Sequence, residues 1–420
     1  QYVQSGHRWF DDSYQNPDSQ YDDFIYYSDS ANRYPEQIFI ESGSELYDFR
    51  AWPDTQHHIV LLDVNQPEVR QWMQDFYAFW VDPNKDGRFD DGVDGFRIDH
   101  IMDDLDYKGI FTDMYTEFWR PIFERCKAVN PDVLILGEQS NWREYGDEMV
   151  KKSGADAAFG FPLRFAMAGK EVGDMYEAGE ETGTTFQPDS IHKAVLETRQ
   201  RFSDSTYSIT FIENHDTDRW ASLMNEHEGR IRAAAVLNLL LPGVPSIYYG
   251  QELGVTGQTR EWGFDANHIP VREAFPWTPD PDTKGTAVFY KNTGPWWDQS
   301  YFLNGGAQRF ALSKQQDDPE SVWNLYRQLI GLRKQYAPFR YGTYQPLLTN
   351  TPGAMAFGRQ WQDEKIVVLM NLSGDPMTVE KREISDLEPK TVFSEKMNQA
   401  DNKITLAPYG IGIFQTSEMH

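Results

Sequence analysis

Apolar positions recur with helical spacing near 68–81, 112–129, 191–203, 228–240 and 319–336, as one buried helix face requires. Short apolar runs lie between most of these stretches: 94–98, VLILGE at 133–138, AAFGF at 157–161, YSITFIENHD at 207–216 and VPSIYYGQE at 244–252. Strands alternating with helices predict a parallel sheet covered by helices over 66–340. Residues 1–65 show no period. Turn formers and aromatics such as Trp9, Phe10, Tyr26 and Trp52 crowd there, and the segment reads as an irregular excursion. From about 341 the runs MAFGRQW, KIVVLMNLS, KTVFS and GIGIFQT, split by Gly, Asn, Asp and Pro, predict a small antiparallel β-sandwich over 341–420.

Composition narrows the partners. The 420 residues suffice for one large domain and a smaller one. A net charge of −26, spread along the chain, argues against nucleic acid, an anionic membrane or a polyanionic substrate. No apolar run approaches the roughly 18–20 residues of a membrane span. The single cysteine, Cys126, excludes an internal disulfide and a cysteine-based metal cluster, and reads as a small buried apolar residue. Aromatic residues make up 15%; such rings pack on sugar faces, but they are also ordinary core material.

Candidate chemistry starts at DGFRIDH, 94–100. On a strand, Arg97 and Asp99 share one face while Phe96 and Ile98 share the other. Three predicted strands end in acids, Asp99, Glu138 and Asp216, and functional residues of such sheets gather at the carboxyl ends of strands. Each has a plainer reading: a buried Arg97–Asp99 pair, a helix-terminal acid at Glu138, a turn at Asn214-His215-Asp216. A separate signal is DPNKDGRFDDGVD, 82–94. Asp82, Asn84, Asp86, Gly87 and Arg88 match positions 1, 3, 5, 6 and 7 of a calcium loop, Arg88 through its carbonyl. Val93 stands where the bidentate Glu belongs, so Asp91 (or Asp90 or Asp94) is expected to substitute. A hydrated acidic turn is the alternative to Ca2+ there.

Four motifs in order, DGFRIDH (94–100), GEQSNW (137–142), FIENHD (211–216) and GVPSIYYGQELG (243–254), resemble those of the α-amylase family, glycoside hydrolase family 13. The resemblance spans roughly 7–340. It implies a (β/α)8 barrel, a domain B excursion after the third strand (1–65), a C-terminal β-sandwich, and retaining action on α-glucosidic bonds. It makes Asp99 the nucleophile, Glu138 the general acid/base and Asp216 the third carboxylate, with Arg97 and His215 lining the cleaved sugar. Trp142 and Arg219 are further substrate candidates; HDTDR (215–219) is similar to exo-acting members, and HIPVREAFPW (268–277) to bacterial amylases.

The chain also departs from the pattern. Only the fourth to eighth barrel strands can be placed, so an upstream segment is expected to complete the barrel. Gln1 and Tyr2 stand where the family has Asn-His, which alters the usual calcium ligand and puts Tyr2 in place of a substrate-contacting histidine. After the nucleophile, His100-Ile101-Met102 replaces a Lys-His pair that grips the next sugar. The expected function is hydrolysis of α-1,4-glucans (starch, glycogen, maltooligosaccharides) outside the cytoplasm. The alternatives are an α-glucosidase or transglycosylase and, more remotely, a non-catalytic glycan-binding protein.

Overall fold

The computed structural model describes all residues except 53–54, 171–184, 204, 263–264, 386–387 and 417–420. It divides into two units. The first holds residues 1–141, 146–159 and 262–266; the second holds 142–145, 160–261 and 267–420.

In the first unit the excursion is more ordered than its sequence predicts. It carries β1 (Tyr2–Gln4), β2 (Phe49–Ala51), β3 (Thr55–His57) and β4 (Ile59–Leu61), with β1 antiparallel to β4 and β2 to β3. It has a core of its own, in which Trp9, Phe10, Ile25 and Leu62 are buried. Helix Pro67–Val81 starts with proline at its first turn, where a missing N–H has no partner to lose. The stretch expected as one helix over 112–129 is a π-turn, Tyr115–Trp119, leading into helix Arg120–Val129. Cys126, on that helix, is buried, and burial pushes its thiol up to about 11.

Strands β5 (Gly95–Ile101), β6 (Leu134–Gln139) and β7 (Ala157–Phe159) run parallel, β6 between the other two. Pairing of β5 with β6 is regular from Gly95↔Leu134 to Ile98↔Gly137 and resumes at Ile101↔Gln139. Two residues, Asp99 and His100, therefore oppose the single residue Glu138. This is a β-bulge, a device that re-aims side chains at a strand end. His100 takes the positive φ (47°) that the bulge imposes.

In the second unit β8 (Tyr207–Thr210) and β9 (Val244–Pro245) pair in parallel. The run expected to reach Asp216 as a strand stops at Thr210. Beyond it the Asn214 side chain accepts from the Asp216 amide (3.0 Å) and Thr217 Oγ1 accepts from the Asn214 amide (3.0 Å), which turns the chain out of the ladder. Helix Glu228–Leu240 is buried over nearly its whole circumference.

Strands β10 (Thr343–Leu347), β11 (Ala354–Trp361), β12 (Glu364–Asn371), β13 (Met377–Glu380), β14 (Lys390–Ala400) and β15 (Lys403–Gln415) form one antiparallel sheet. The long β15 pairs β13 through 403–406 and β12 through 411–415, with β14 along both parts. Val367, Leu369, Val379, Ile404, Leu406 and Phe414 share one core. Ile366, Val368, Met370, Ile411 and Ile413 join Leu325, Leu329 and the side chains of helix Glu228–Leu240 in another. Burial of both faces explains why β12 reads as a continuous apolar run rather than an alternation. Among the described residues no helix is long and apolar enough to cross a membrane.

Candidate active site

The bulge is what assembles the site in the first unit. Asp99, His100 and Glu138 each place one ring nitrogen or carboxylate oxygen within 4.8 Å of the others. Arg97, two residues before Asp99 on the same face, bridges the two acids: Nη1 donates to Asp99 Oδ1, and Nη2 to Glu138 Oε2 at 2.8 Å. The His100 amide points at the same Glu138 oxygen (3.4 Å), and Gln1 Nε2 donates to the His100 carbonyl (2.7 Å). Glu138 must come close to β5, and Gly137 permits it. A Cβ there would lie 2.6 Å from Met149 Cε and 3.0 Å from Ile101 Cδ1.

The two acids differ in environment. The Glu138 side chain is 2% exposed and that of Asp99 is 68% exposed. Burial raises the Asp99 carboxyl, but the Arg97 hydrogen bond, the His100 and Arg97 charges and a hydrogen bond with Glu138 outweigh it. The net effect holds Asp99 below the usual carboxylate range. Tyr2 faces the same field: burial first, then the charges of Asp106 and Asp99, raise its phenol, so it stays a neutral hydroxyl.

In the second unit Asp216 is held by side chains rather than by a ladder. Arg272 Nη2 donates to Asp216 Oδ1 (2.8 Å) while its Nε donates to the His215 carbonyl (2.9 Å). His215 Nε2 lies 3.0 Å from Asp216 Oδ2, and His268 Nδ1 lies 4.0 Å from Oδ1. The Arg272 segment is itself pinned by buried Glu273, which accepts from Ser300 Oγ (2.5 Å), Tyr290 Oη (3.0 Å) and the Tyr301 amide (3.2 Å).

Arg219 needs a correction. Expected at the substrate, it is 0% exposed. Its Nη1 donates to Glu213 Oε1 (2.9 Å) and to the Tyr249 carbonyl (2.7 Å), and its guanidinium lies 4.2 Å from the Tyr248 ring centroid. A buried guanidinium needs such a partner, because desolvating it alone is costly; Arg219 belongs to the interior of its unit. Trp142 is half-buried and stacks on Phe161, with centroids 4.4 Å apart and planes at 10°.

The 82–94 loop takes the turn geometry of a cation loop. Asp82 Oδ2 accepts from the Gly87 amide (3.0 Å), Asn84 Oδ1 from the Asp86 amide (2.8 Å), and Asp86 Oδ1 from the Arg88 amide (2.8 Å). Gly87 sits at φ +74°, as the sharp turn requires. Asp82 is 6% exposed, and its Oδ1 is buried with no hydrogen-bond partner among the described residues. A carboxylate oxygen left so would normally be satisfied, and a hard cation fits that donor set. Asp91 is exposed.

Two contributors were not singled out from the sequence. Arg272 and His268 lie in HIPVREAFPW, but nothing local says that they reach an acid more than fifty residues upstream. Gln1, which stands where the family has its calcium-ligand Asn, tethers the bulge through the His100 carbonyl.

The chain belongs to the α-amylase family of glycoside hydrolases: the α-amylase catalytic domain matches residues 3–342, and the maltogenic amylase C-terminal domain matches 344–413. The parallel strands are accordingly part of the family's (β/α)8 barrel fold, followed by the antiparallel C-terminal domain. Among similar proteins, α-amylase 3 of Dictyoglomus thermophilum is 27% identical over 97% of this chain and 73% of its own length. The trehalose synthase/amylase TreS of Mycolicibacterium smegmatis is 26% identical over 89% of this chain and 68% of its own. The crystal structure of an α-amylase from H. orenii superimposes with a TM-score of 0.73 at 20% identity, covering 99% of this chain and 78% of that one.

Proposed function

We propose that the protein is a retaining hydrolase of α-1,4-glucosidic bonds in starch, glycogen or maltooligosaccharides. The observation that carries this reading is the grouping of Asp99 and Glu138 oxygens within 4.8 Å. Retaining enzymes hold their carboxyl groups about 5–5.5 Å apart, whereas inverting enzymes leave about 6.5–9.5 Å for a water. Ionised Asp99 attacks the anomeric carbon while protonated Glu138 gives its proton to the leaving oxygen. Water then attacks the glycosyl ester, losing a proton to Glu138 and releasing Asp99. Arg97 keeps the nucleophile charged. Asp216 is assigned to the sugar hydroxyls on the strength of its motif, with His215 beside it.

The same covalent intermediate serves transfer if a sugar hydroxyl replaces water, and similarity to proteins named trehalose synthase supports that as a second reading. Chromatography of products from amylose, pullulan and maltotriose separates the two, with NMR reporting the first anomer released. Hydrolysis of amylose with α-anomers, lost in Asp99→Asn, supports the proposal; β-anomers, or activity intact in Asp99→Asn, would overturn it.

The second element of the proposal is Ca2+ in the 82–91 loop, held by Asp82, Asn84, Asp86, the Arg88 carbonyl and Asp91. The orphaned Asp82 oxygen supports it. Calorimetric titration of chelator-stripped protein should show one calcium event that Asp82→Asn removes; no binding heat would sink the assignment.

A further inference from the structure

Beyond the bulge, two large aromatic side chains are turned into solvent at a cost in backbone strain. Phe39 (φ +58°) is 65% exposed and Tyr107 (φ +55°) is 62% exposed; Asp106 between them in the cluster is at φ +57°. Positive φ is an outlier for bulky residues and persists only where surroundings over-determine it. Here they do. Asp106 Oδ2 accepts from the Phe39 amide (2.9 Å). Lys108 Nζ joins Glu36 (3.0 Å) and Asp106 (3.6 Å) and also donates to the Ile40 carbonyl; all three charged side chains are largely buried. Tyr107 Oη bonds Ser140 Oγ at 2.6 Å.

The clamp has a direction. The Phe39 ring centroid is 6.0 Å from that of His100, at 71°, and His100 follows Asp99 directly. Phe39 and Tyr107 together line a cleft of about 370 Å³ with Ile40, Ser42, Asp106 and Lys108. A cleft lined by two aromatic side chains with hydroxyl and charged groups beside them suits a pyranose, whose apolar face stacks while its hydroxyls bond. Apolar core residues would be buried, not held open by a buried ion cluster.

We propose that Phe39 and Tyr107 form the binding site for the glucosyl ring on the leaving-group side, which is also the site of an acceptor sugar. The inference rests on the glycosidase reading above and names where that reaction's second sugar sits. It assigns the specificity-determining contact to two rings where the family's Lys-His pair is absent.

The test compares substrates that differ only on that side. For α-glucosyl or α-maltotriosyl fluoride, whichever the wild type cleaves faster, the leaving group is a lone fluoride. Phe39→Ala should change its hydrolysis less than 2-fold while lowering kcat/KM for maltopentaose about 10-fold and transfer to added maltose by a similar factor. Tyr107→Phe, which keeps the ring but loses the bond to Ser140, should fall between wild type and Tyr107→Ala; Tyr107→Ala should resemble Phe39→Ala. Equal losses on fluoride and oligosaccharide would overturn the proposal, as would no change on either. Wild-type protein that cleaves neither substrate class would instead defeat the glycosidase reading; in that event maltotriose binding to Asp99→Asn protein, expected to weaken about 10-fold with Phe39→Ala added, decides the subsite alone.

Discussion

The carboxylates of this protein are placed in two different ways. Asp99 and Glu138 stand on hydrogen-bonded parallel strands, and one bulge sets them against each other. Asp216 stands past the end of β8, on a turn, and its carboxylate direction comes from Arg272, 56 positions away in sequence. A ladder positions a side chain through backbone bonds that neighbouring residues share. A clamp on a turn depends on a few side chains, here chiefly Arg272 and His215, and on whatever fixes their own loops, here buried Glu273 next to Arg272. The first arrangement should tolerate loss of accessory side chains; the second should not.

The sharpest test removes the chemistry itself. Asp99→Asn and Glu138→Gln should each lower kcat/KM by about 10³-fold or more, with thermal stability little changed, as for groups acting directly at the reacting atoms. A rate near wild type would remove the strand-built site from consideration. Next, Arg272→Met should cost roughly 10–100-fold in kcat through a misdirected Asp216. Gln1→Ala, which touches only the tether of the bulge, should cost less than Arg272→Met; the reverse order would break the comparison.

A smaller effect is expected in stability. Stripping calcium should lower Tm by about 3 °C, for a loop saturated roughly 100-fold above its Kd, and Asp82→Asn should abolish the difference.

The last two predictions concern pH. Arg97→Met should move the acid limb of kcat/KM upward, because Asp99 loses the neighbour that holds its carboxyl down. Glu273 runs the other way. Burial raises its carboxyl to about 7, and the hydrogen bonds from Ser300, Tyr301 and Tyr290 only partly offset this. The folded state then holds more protons than the unfolded one from about pH 4.5 to 7, so this group's contribution to stability falls as pH rises through that window. Glu273→Gln should flatten the Tm-against-pH profile there; an unchanged slope would remove Glu273 as its source.

Legibility follows the same division. Asp99, Arg97 and Glu138 could be read from the chain because strand alternation and short motifs are local, and a residue two positions on shares a face whatever the rest of the fold does. Arg219 shows the limit of that method. Its motif position pointed to substrate, but burial is decided by what packs around a residue, and Glu213, Tyr248 and Tyr249 enclose it. The candidate cation loop was legible as spacing, while the stranded oxygen of Asp82 was not.

The sequence by itself determined the family, the order of strands and helices, and the acids proposed for the chemistry, because periodicity and motif spacing are properties of neighbours along the chain. Only the tertiary structure decided that Asp99 and His100 share one partner across the ladder, that Arg272 aims Asp216, and that Phe39 is held open beside His100. Each of those depends on register or on a contact between distant segments, and such contacts leave no periodic trace in the residues that make them.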